Sequence, residues 1–304
     1  MKTIRGRKTL VSGAASGIGR AIALALAREG ADLFLLDIDD VRLTETVAEA
    51  RRLGVDATGM HCDLSQSEAI TASVRHLLDR WGELDILVNN AGVAYYGPTE
   101  KMTAEQWKRL MDINLHAPIQ LTGELLPTLL SRPQAHILNV CSIAGLVAGG
   151  RFAAYHVSKF GLVGFSEALR AEYGRRGLGV TALCPGPVQT NLYRSAMSGR
   201  KDRPVPNPPA WLCASEETVA RKAVKAIRCN QRMMLVTPMA HLLWNAKRFL
   251  PGLLDFANHM GRKRKKRPTQ TDVASPSTTQ PPTTAKTPNA QPTNIGRNQD
   301  GRAA

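Results

Sequence analysis

KTLVSGAASGIGR, residues 8–20, decides how the rest of the chain is read. KTLVS is a short apolar run of strand type, and from Ile18 an apolar helical pattern continues to residue 29. Between them stand Gly13, Gly17 and Gly19. A glycine-rich turn from strand to helix lets backbone N–H groups and the positive helix end approach a pyrophosphate. The spacing is GxxxGxG, not GxGxxG, and by itself it also describes a tight turn that holds no ligand.

Outward from this turn the pattern repeats. Further strand-like runs lie at 31–37, 56–63, 84–90, 136–142, 179–185 and 232–238, with helical segments near 18–29, 40–53, 66–81, 103–130, 153–176 and 216–229. Runs that are apolar on both faces, each followed by a helix, predict a parallel sheet covered on both sides. The expected fold is a doubly wound, Rossmann-type α/β domain over residues 1–238. An amphipathic helical extension is expected over 239–260, then a basic run and a disordered tail over 261–304. From Pro268 onward the composition is mostly Thr, Pro, Gln, Asn, Ser and Ala, which buries too little apolar surface to offset ordering entropy. Residues 191–215 have no clear period and read as a lid over a ligand or as a plain connection.

The chain has 304 residues, 43% of them hydrophobic, enough for a sizeable core. Its formal charge of +15 is uneven: beyond Met260 nine Lys/Arg against two Asp/Glu leave +7 there and +8 before it. The five cysteines form no CxxC pair and no Cys/His cluster at metal spacing, so neither a disulfide framework nor a metal site is expected. The first residues have no long apolar stretch of signal-peptide type, and no run approaches the ~20 apolar residues that span a bilayer. The expected location is cytoplasmic.

Two further places carry chemistry. Asp37 ends the second strand-like run, where a carboxylate can accept hydrogen bonds from the ribose hydroxyls of an adenosine and repel a 2′-phosphate. Neither Ser16 nor Ile38 offers a basic partner for such a phosphate, which favours NAD over NADP. DIDD is also good capping sequence, so Asp37 as a helix N-cap stays open. In YHVSK, residues 155–159, Tyr155 and Lys159 fall on one helix face. A phenol beside an ammonium loses its proton more easily, although a surface lysine beside a half-buried tyrosine would look the same.

SGAASGIG (12–19), CDLS (62–65), NNAG (89–92), Asn114 in INLHAP, Ser142 in NVCSIAG, YHVSK and PGPVQTN (185–191) occur in the order of a known family's motifs. The chain resembles a single-domain short-chain dehydrogenase/reductase over roughly residues 6–236. The resemblance implies that Tyr155 is the general acid in carbonyl reduction and the general base in alcohol oxidation. It implies that Lys159 lowers the phenol's pKa and holds the nicotinamide ribose, that Ser142 hydrogen-bonds the substrate oxygen, and that Asn114 supports a water linking Lys159 to solvent. Ser142 and Tyr155 would then be the substrate-binding pair. Implied cofactor contacts are Gly13, Ser16, Ile18 and Gly19 at the pyrophosphate, Asp37 at the ribose, and Asp63 with Leu64 near the adenine. Asn90, Ala91 and Gly92 would line the path to the second ribose, and Pro185, Gly186, Val188 and Thr190 the nicotinamide side. Two departures are Ala117, where the family commonly has Gly, and Ser12, where Thr is usual; Ser12 keeps the hydroxyl. The family often forms dimers or tetramers.

Past residue 238 an apolar stripe runs from Met239 to Met260, interrupted by Pro251-Gly252 and followed by GRKRKKR. It suits contact with an anionic membrane surface through residues 239–267, or packing on the substrate loop or a second subunit. Nucleic-acid binding is disfavoured because no aromatic residues interleave the basic run. The expected function is NAD-dependent hydride transfer between nicotinamide and a secondary alcohol or ketone. An apolar, lipid-, steroid- or retinoid-like substrate is expected from Tyr95, Leu146, Val147, Phe152, Tyr193, Met197 and Trp211. The alternatives are reduction of a carrier-bound 3-oxoacyl group, or a non-catalytic NAD-binding regulatory protein.

Overall fold

The computed structural model describes residues 1–188, 197–198 and 209–252. All the described residues lie in one compact unit. The expected disordered tail, the basic run, Thr190, Tyr193 and most of the expected lid lie outside the described residues.

Strands β1 (Lys8–Ser12), β2 (Asp32–Asp37), β3 (Ala57–His61), β4 (Ile86–Asn89), β6 (Ala135–Val140), β7 (Leu178–Cys184) and β9 (Met233–Leu235) form one sheet in the order β3-β2-β1-β4-β6-β7-β9. Every pairing is parallel. A two-residue pair, β5 (Tyr95–Tyr96) with β8 (Met197–Ser198), stands apart from it. The strands stop short of the apolar runs at their carboxyl ends, where Gly13, Asn90 and Ser142 leave the ladder for loops. Connecting helices are α1 (Gly17–Arg28), α2 (Asp40–Arg52), α3 (Ser67–Trp81), α4 (Ala104–Met111), α5 (Ala117–Ser131), α6 (Ala153–Tyr173), α7 (Glu216–Arg228) and α8 (Pro238–Phe249).

Strand alternation divides the core into two layers. Val11, Leu33, Leu35 and Val88 face the layer containing Ile22 of α1, Val47 of α2 and Val219 of α7. Their neighbours Leu10, Phe34, Leu36 and Leu87 face Leu77 of α3, Leu121 of α5 and Leu169 of α6. Both faces are dry, which is why the strands read as unbroken apolar runs; each buried Leu contributes about 1.5–3 kcal/mol.

Residues 103–130, expected as one helix, are two. α4 passes through a π-helical turn, Asp112–His116, into α5. Pro118 supplies the reason: having no N–H, it cannot bond the carbonyl four residues back, which belongs to Asn114. The break falls on a residue that the sequence marks as functional.

α8 follows β9 directly. Thr237 caps it by accepting the Ala240 amide at 3.1 Å. Ala240 is buried, and Trp244 packs against the cluster that contains it together with Cys141, Leu146 and Leu162. Among the described residues no helix is long and apolar enough to cross a membrane.

Candidate active site

The carboxyl ends of β1 and β4 are latched together. Ser12 Oγ accepts the amides of Asn90 at 3.0 Å and Ala91 at 3.2 Å, while Asn90 Nδ2 donates to the carbonyls of Ser12 and Gly13, both at 3.0 Å. The glycines serve this approach. Gly13 has φ +66°, and a Cβ on it would stand 2.8 Å from Ala91 Cα. A Cβ on Gly19 would stand 2.0 Å from the Gly13 carbonyl oxygen. Ser16 at the α1 N-cap position makes no side-chain cap, so the N–H groups of that first turn are not satisfied by it.

A cavity of about 720 Å³ opens over this latch, at the point where the strand order reverses. Gly13, Ser16 and Ile18 line one end, with Asp37, Asp63 and Leu64 beside them. Asn90, Ala91 and Gly92 form the floor toward Ser142, Tyr155 and Lys159, and Pro185, Gly186 and Val188 close the far side. Gly19 is buried behind the turn, and Asn114 is buried behind Gly92.

Asp37 accepts three amides: Ala15 at 2.8 Å on Oδ2, and Ile38 at 2.8 Å and Asp39 at 3.1 Å on Oδ1. It is not the cap of α2; Asp39 takes that role, accepting the Arg42 amide at 3.1 Å. Asp63 accepts the amide and hydroxyl of Ser65 at 2.9 and 2.8 Å, and the amide bond foremost holds its carboxyl below the usual range.

Asn114 accepts the Val93 amide and donates to the Val93 carbonyl, both at 2.8 Å, and donates to Ser158 Oγ at 3.2 Å. Lys159 is buried, donates to the Val140 carbonyl at 2.9 Å and lies 5.8 Å from the centre of the Tyr155 ring. Burial pushes its ammonium pKa down, partly offset by Cys141 and Cys184. Ser142 caps a short 3₁₀ turn, Ile143–Gly145, accepting the Ala144 amide at 3.1 Å. That turn lies so close to α6 that a Cβ on Gly145 would stand 2.5 Å from the Lys159 carbonyl oxygen. His156 accepts the Gly149 amide at 2.9 Å on Nε2, and its Nδ1 lies 2.8 Å from the Ala144 carbonyl oxygen. It thereby braces the turn, a structural task.

The sequence reading missed Arg109, Ile113 and Tyr96, all of which line the cavity. Of the residues expected to border a substrate, Phe152 lines it, whereas Tyr95 is buried on the other side of its strand and Leu146 sits in the core. Trp211 is exposed and is not among the residues that line the cavity. The Tyr95/Tyr96 pair shows the cause: adjacent strand residues face opposite ways, and sequence could not say which faced in.

A parallel sheet with a glycine turn at its switch point, the Asp37 carboxylate and a Ser/Tyr/Lys cluster in one cavity define a nicotinamide-dependent oxidoreductase. The sequence model of the family described as short chain dehydrogenase matches residues 7–201. The chain belongs to the short-chain dehydrogenase/reductase family. It is 40% identical over 217 residues, covering 70% of this chain and 76% of the relative, to a protein of Streptomyces violaceoruber named as a ketoacyl reductase of the granaticin polyketide synthase. A short-chain dehydrogenase/reductase from Burkholderia phymatum, solved in complex with NAD, is 25% identical with a TM-score of 0.74, covering 84% of this chain and 97% of that one. A metagenomic short-chain oxidoreductase, solved in complex with NADP, is 29% identical with a TM-score of 0.66, covering 77% and 98%.

Proposed function

We propose that the protein transfers a hydride between NAD and a secondary alcohol or ketone of apolar character. The observation that carries this reading is that Ser142, Tyr155 and Lys159 line the same cavity as the glycine turn and Asp37. The residues fit the cofactor: Gly13, Ser16, Gly17 and Ile18 line the cavity at the N-terminus of α1, whose first-turn N–H groups the Ser16 side chain does not cap. When bound, the nicotinamide gives or takes the hydride at its C4.

The chain's own residues handle the proton and the charge. Ser142 Oγ donates a hydrogen bond to the substrate oxygen as charge builds there. The Tyr155 hydroxyl gives that oxygen a proton in reduction and takes one in oxidation. A free phenol has a pKa of about 10, and an ammonium at ~4 Å in an effective dielectric of about 20 contributes roughly 4 kcal/mol toward ionising it. Lys159, with Nζ 5.8 Å from the centre of the Tyr155 ring, would supply that field. Asn114, held by both polar groups of Val93, keeps the backbone beside Gly92 and Lys159 in shape and supports a water path to solvent.

Asp37 supports NAD over NADP. Its carboxylate lines the adenosine end, and among the described residues the Lys and Arg that line the cavity are Lys159 and Arg109. Apolar walls near Ser142, from Ile143, Phe152 and Tyr96, support an apolar substrate. The relative's name favours a second reading, reduction of a carrier-bound 3-oxoacyl group, which would use the same Ser/Tyr/Lys set. The partners in this reading are a small-molecule substrate, a second copy of the chain in a dimer or tetramer, and an anionic membrane surface along residues 239–267.

Nicotinamide absorbance, followed with NAD and NADP in parallel, tests it. Medium-chain secondary alcohols, hydroxysteroids and retinol form one panel and 3-oxoacyl thioesters the other. Turnover of the first panel with NAD supports the reading. Turnover confined to the thioesters with NADPH moves it to the alternative.

A further inference from the structure

α8 presents an unusual outer edge. Leu242 is 70% exposed, Phe249 72% and Leu250 59%, although the opposite side of the helix carries the buried Ala240. Leu242 and Phe249 are seven positions apart, two helical turns, and so share one face. The helix has no acidic residue, and Lys247 and Arg248 stand in its last turn. Beyond it the sequence continues the same spacing of apolar residues through Leu253, Leu254, Ala257 and Met260, and then sets six Lys/Arg in a row from Arg262 to Arg267.

We propose that this edge of α8 is the part of the protein that enters an anionic lipid surface, with Leu242, Phe249 and Leu250 as the inserted side chains. The inference rests on the reading that residues 239–267 meet a membrane, and it names the surface that does so. Charge complementarity selects the occupant: an apolar edge without carboxylates, followed in sequence by six cations, matches an anionic bilayer. A polar segment of the chain would not be drawn there, and the apolar residues that follow lengthen the stripe.

The position bears on catalysis. Lys247 Nζ donates to the Leu146 carbonyl at 2.7 Å and lies 4.5 Å from the centre of the Phe160 ring. α8 is therefore clamped to the segment just after the Ser142 turn and to the helix that carries Tyr155 and Lys159. A bilayer on its outer edge would therefore bear on the two elements that carry Ser142, Tyr155 and Lys159.

The experiment is co-sedimentation of the full chain with phosphatidylserine/phosphatidylcholine vesicles and with pure phosphatidylcholine vesicles. Three proteins are compared: wild type, Leu242→Ser/Phe249→Ser, and a variant with all six basic residues from Arg262 to Arg267 changed to Gln. Thermal unfolding of each shows that the fold is kept. The expected result is sedimentation of wild type with the anionic vesicles only, and a partition coefficient lower by about tenfold or more in the serine variant. Wild-type sedimentation that the serine variant matches and the Gln variant lacks overturns the role of α8 and leaves the membrane reading to the basic run. No sedimentation of wild type overturns both.

Discussion

The carboxylate of Asp37, at the end of β2, holds the backbone amide of Ala15, inside the glycine turn, at 2.8 Å. One side chain therefore shapes the turn and sets a carboxylate at that end of the cavity. The two tasks separate by substitution. Asp37→Asn keeps an oxygen for the Ala15 amide and removes the charge. Its preference for NAD over NADP, measured as the ratio of kcat/KM values, should fall by about tenfold or more, at a cost of about 1 kcal/mol because the Asn NH2 then faces the Ile38 and Asp39 amides that Oδ1 accepts. Asp37→Ala should also lose about 1–2 kcal/mol in urea unfolding. An Asn variant as selective as wild type would remove Asp37 from cofactor choice.

Tyr155→Phe should lower kcat by about 10²–10⁴-fold while leaving the dissociation constant for NAD within about threefold. Lys159→Met should move the alkaline rise of alcohol oxidation upward by about one to three pH units, because the phenol then ionises without a cation beside it. Stopped-flow binding and pH–rate profiles separate these outcomes. Unchanged pH dependence in the Lys159 variant would mean that another group sets the proton transfer.

Asn114→Leu should cost both activity and stability. It orphans the amide and carbonyl of Val93 and one partner of Ser158, a loss of about 2–4 kcal/mol in chemical denaturation. Loss of activity at full stability would show that the residue acts only through chemistry.

His136 makes a prediction about acid. Thr181 Oγ donates to the Gln231 carbonyl and accepts from His136 Nε2 at 2.9 Å, so the ring is neutral with its proton on Nε2. Burial lowers its pKa from 6.5 to about 3. The unfolded chain then binds a proton that the folded chain refuses, and stability falls as pH drops from about 6.5 toward 3. Between pH 6.5 and 4 this one group should cost about 3 kcal/mol. His136→Gln should flatten that part of the curve in urea titrations; identical slopes would contradict the buried neutral ring.

Much of the frame was legible because buried parallel strands are apolar on both faces: ADLFLLD cannot be mistaken for an exposed edge. The order of motifs along the chain carried the Ser/Tyr/Lys set. The losses have particular causes. DIDD offers three carboxylates, and only the backbone shows that Asp39 caps α2 and leaves Asp37 to the turn. Pro118 was visible, but its consequence, a π turn at Asn114, depends on which carbonyl it deprives. Arg109 carries no motif at all, and only the packing of α4 over the cavity exposes it. α8 was read as a stripe, and its division into a clamped side and an open edge needed Lys247 and Leu146 to be seen together.

The Ser12–Asn90 latch spans 78 residues of sequence. It cannot form until β4 has docked beside β1, after three strands and three helices have already been made or passed over. Such long-range parallel pairing is slow, because the loop entropy is lost before the contact is gained. The latch is therefore absent from a chain in which only the segment before β4 has condensed. A ligand that recognises only the closed latch draws the whole folding equilibrium with it. At a hundredfold excess over its dissociation constant it adds about 2.7 kcal/mol, so cofactor supply would shift the folded fraction of the enzyme as well as its turnover.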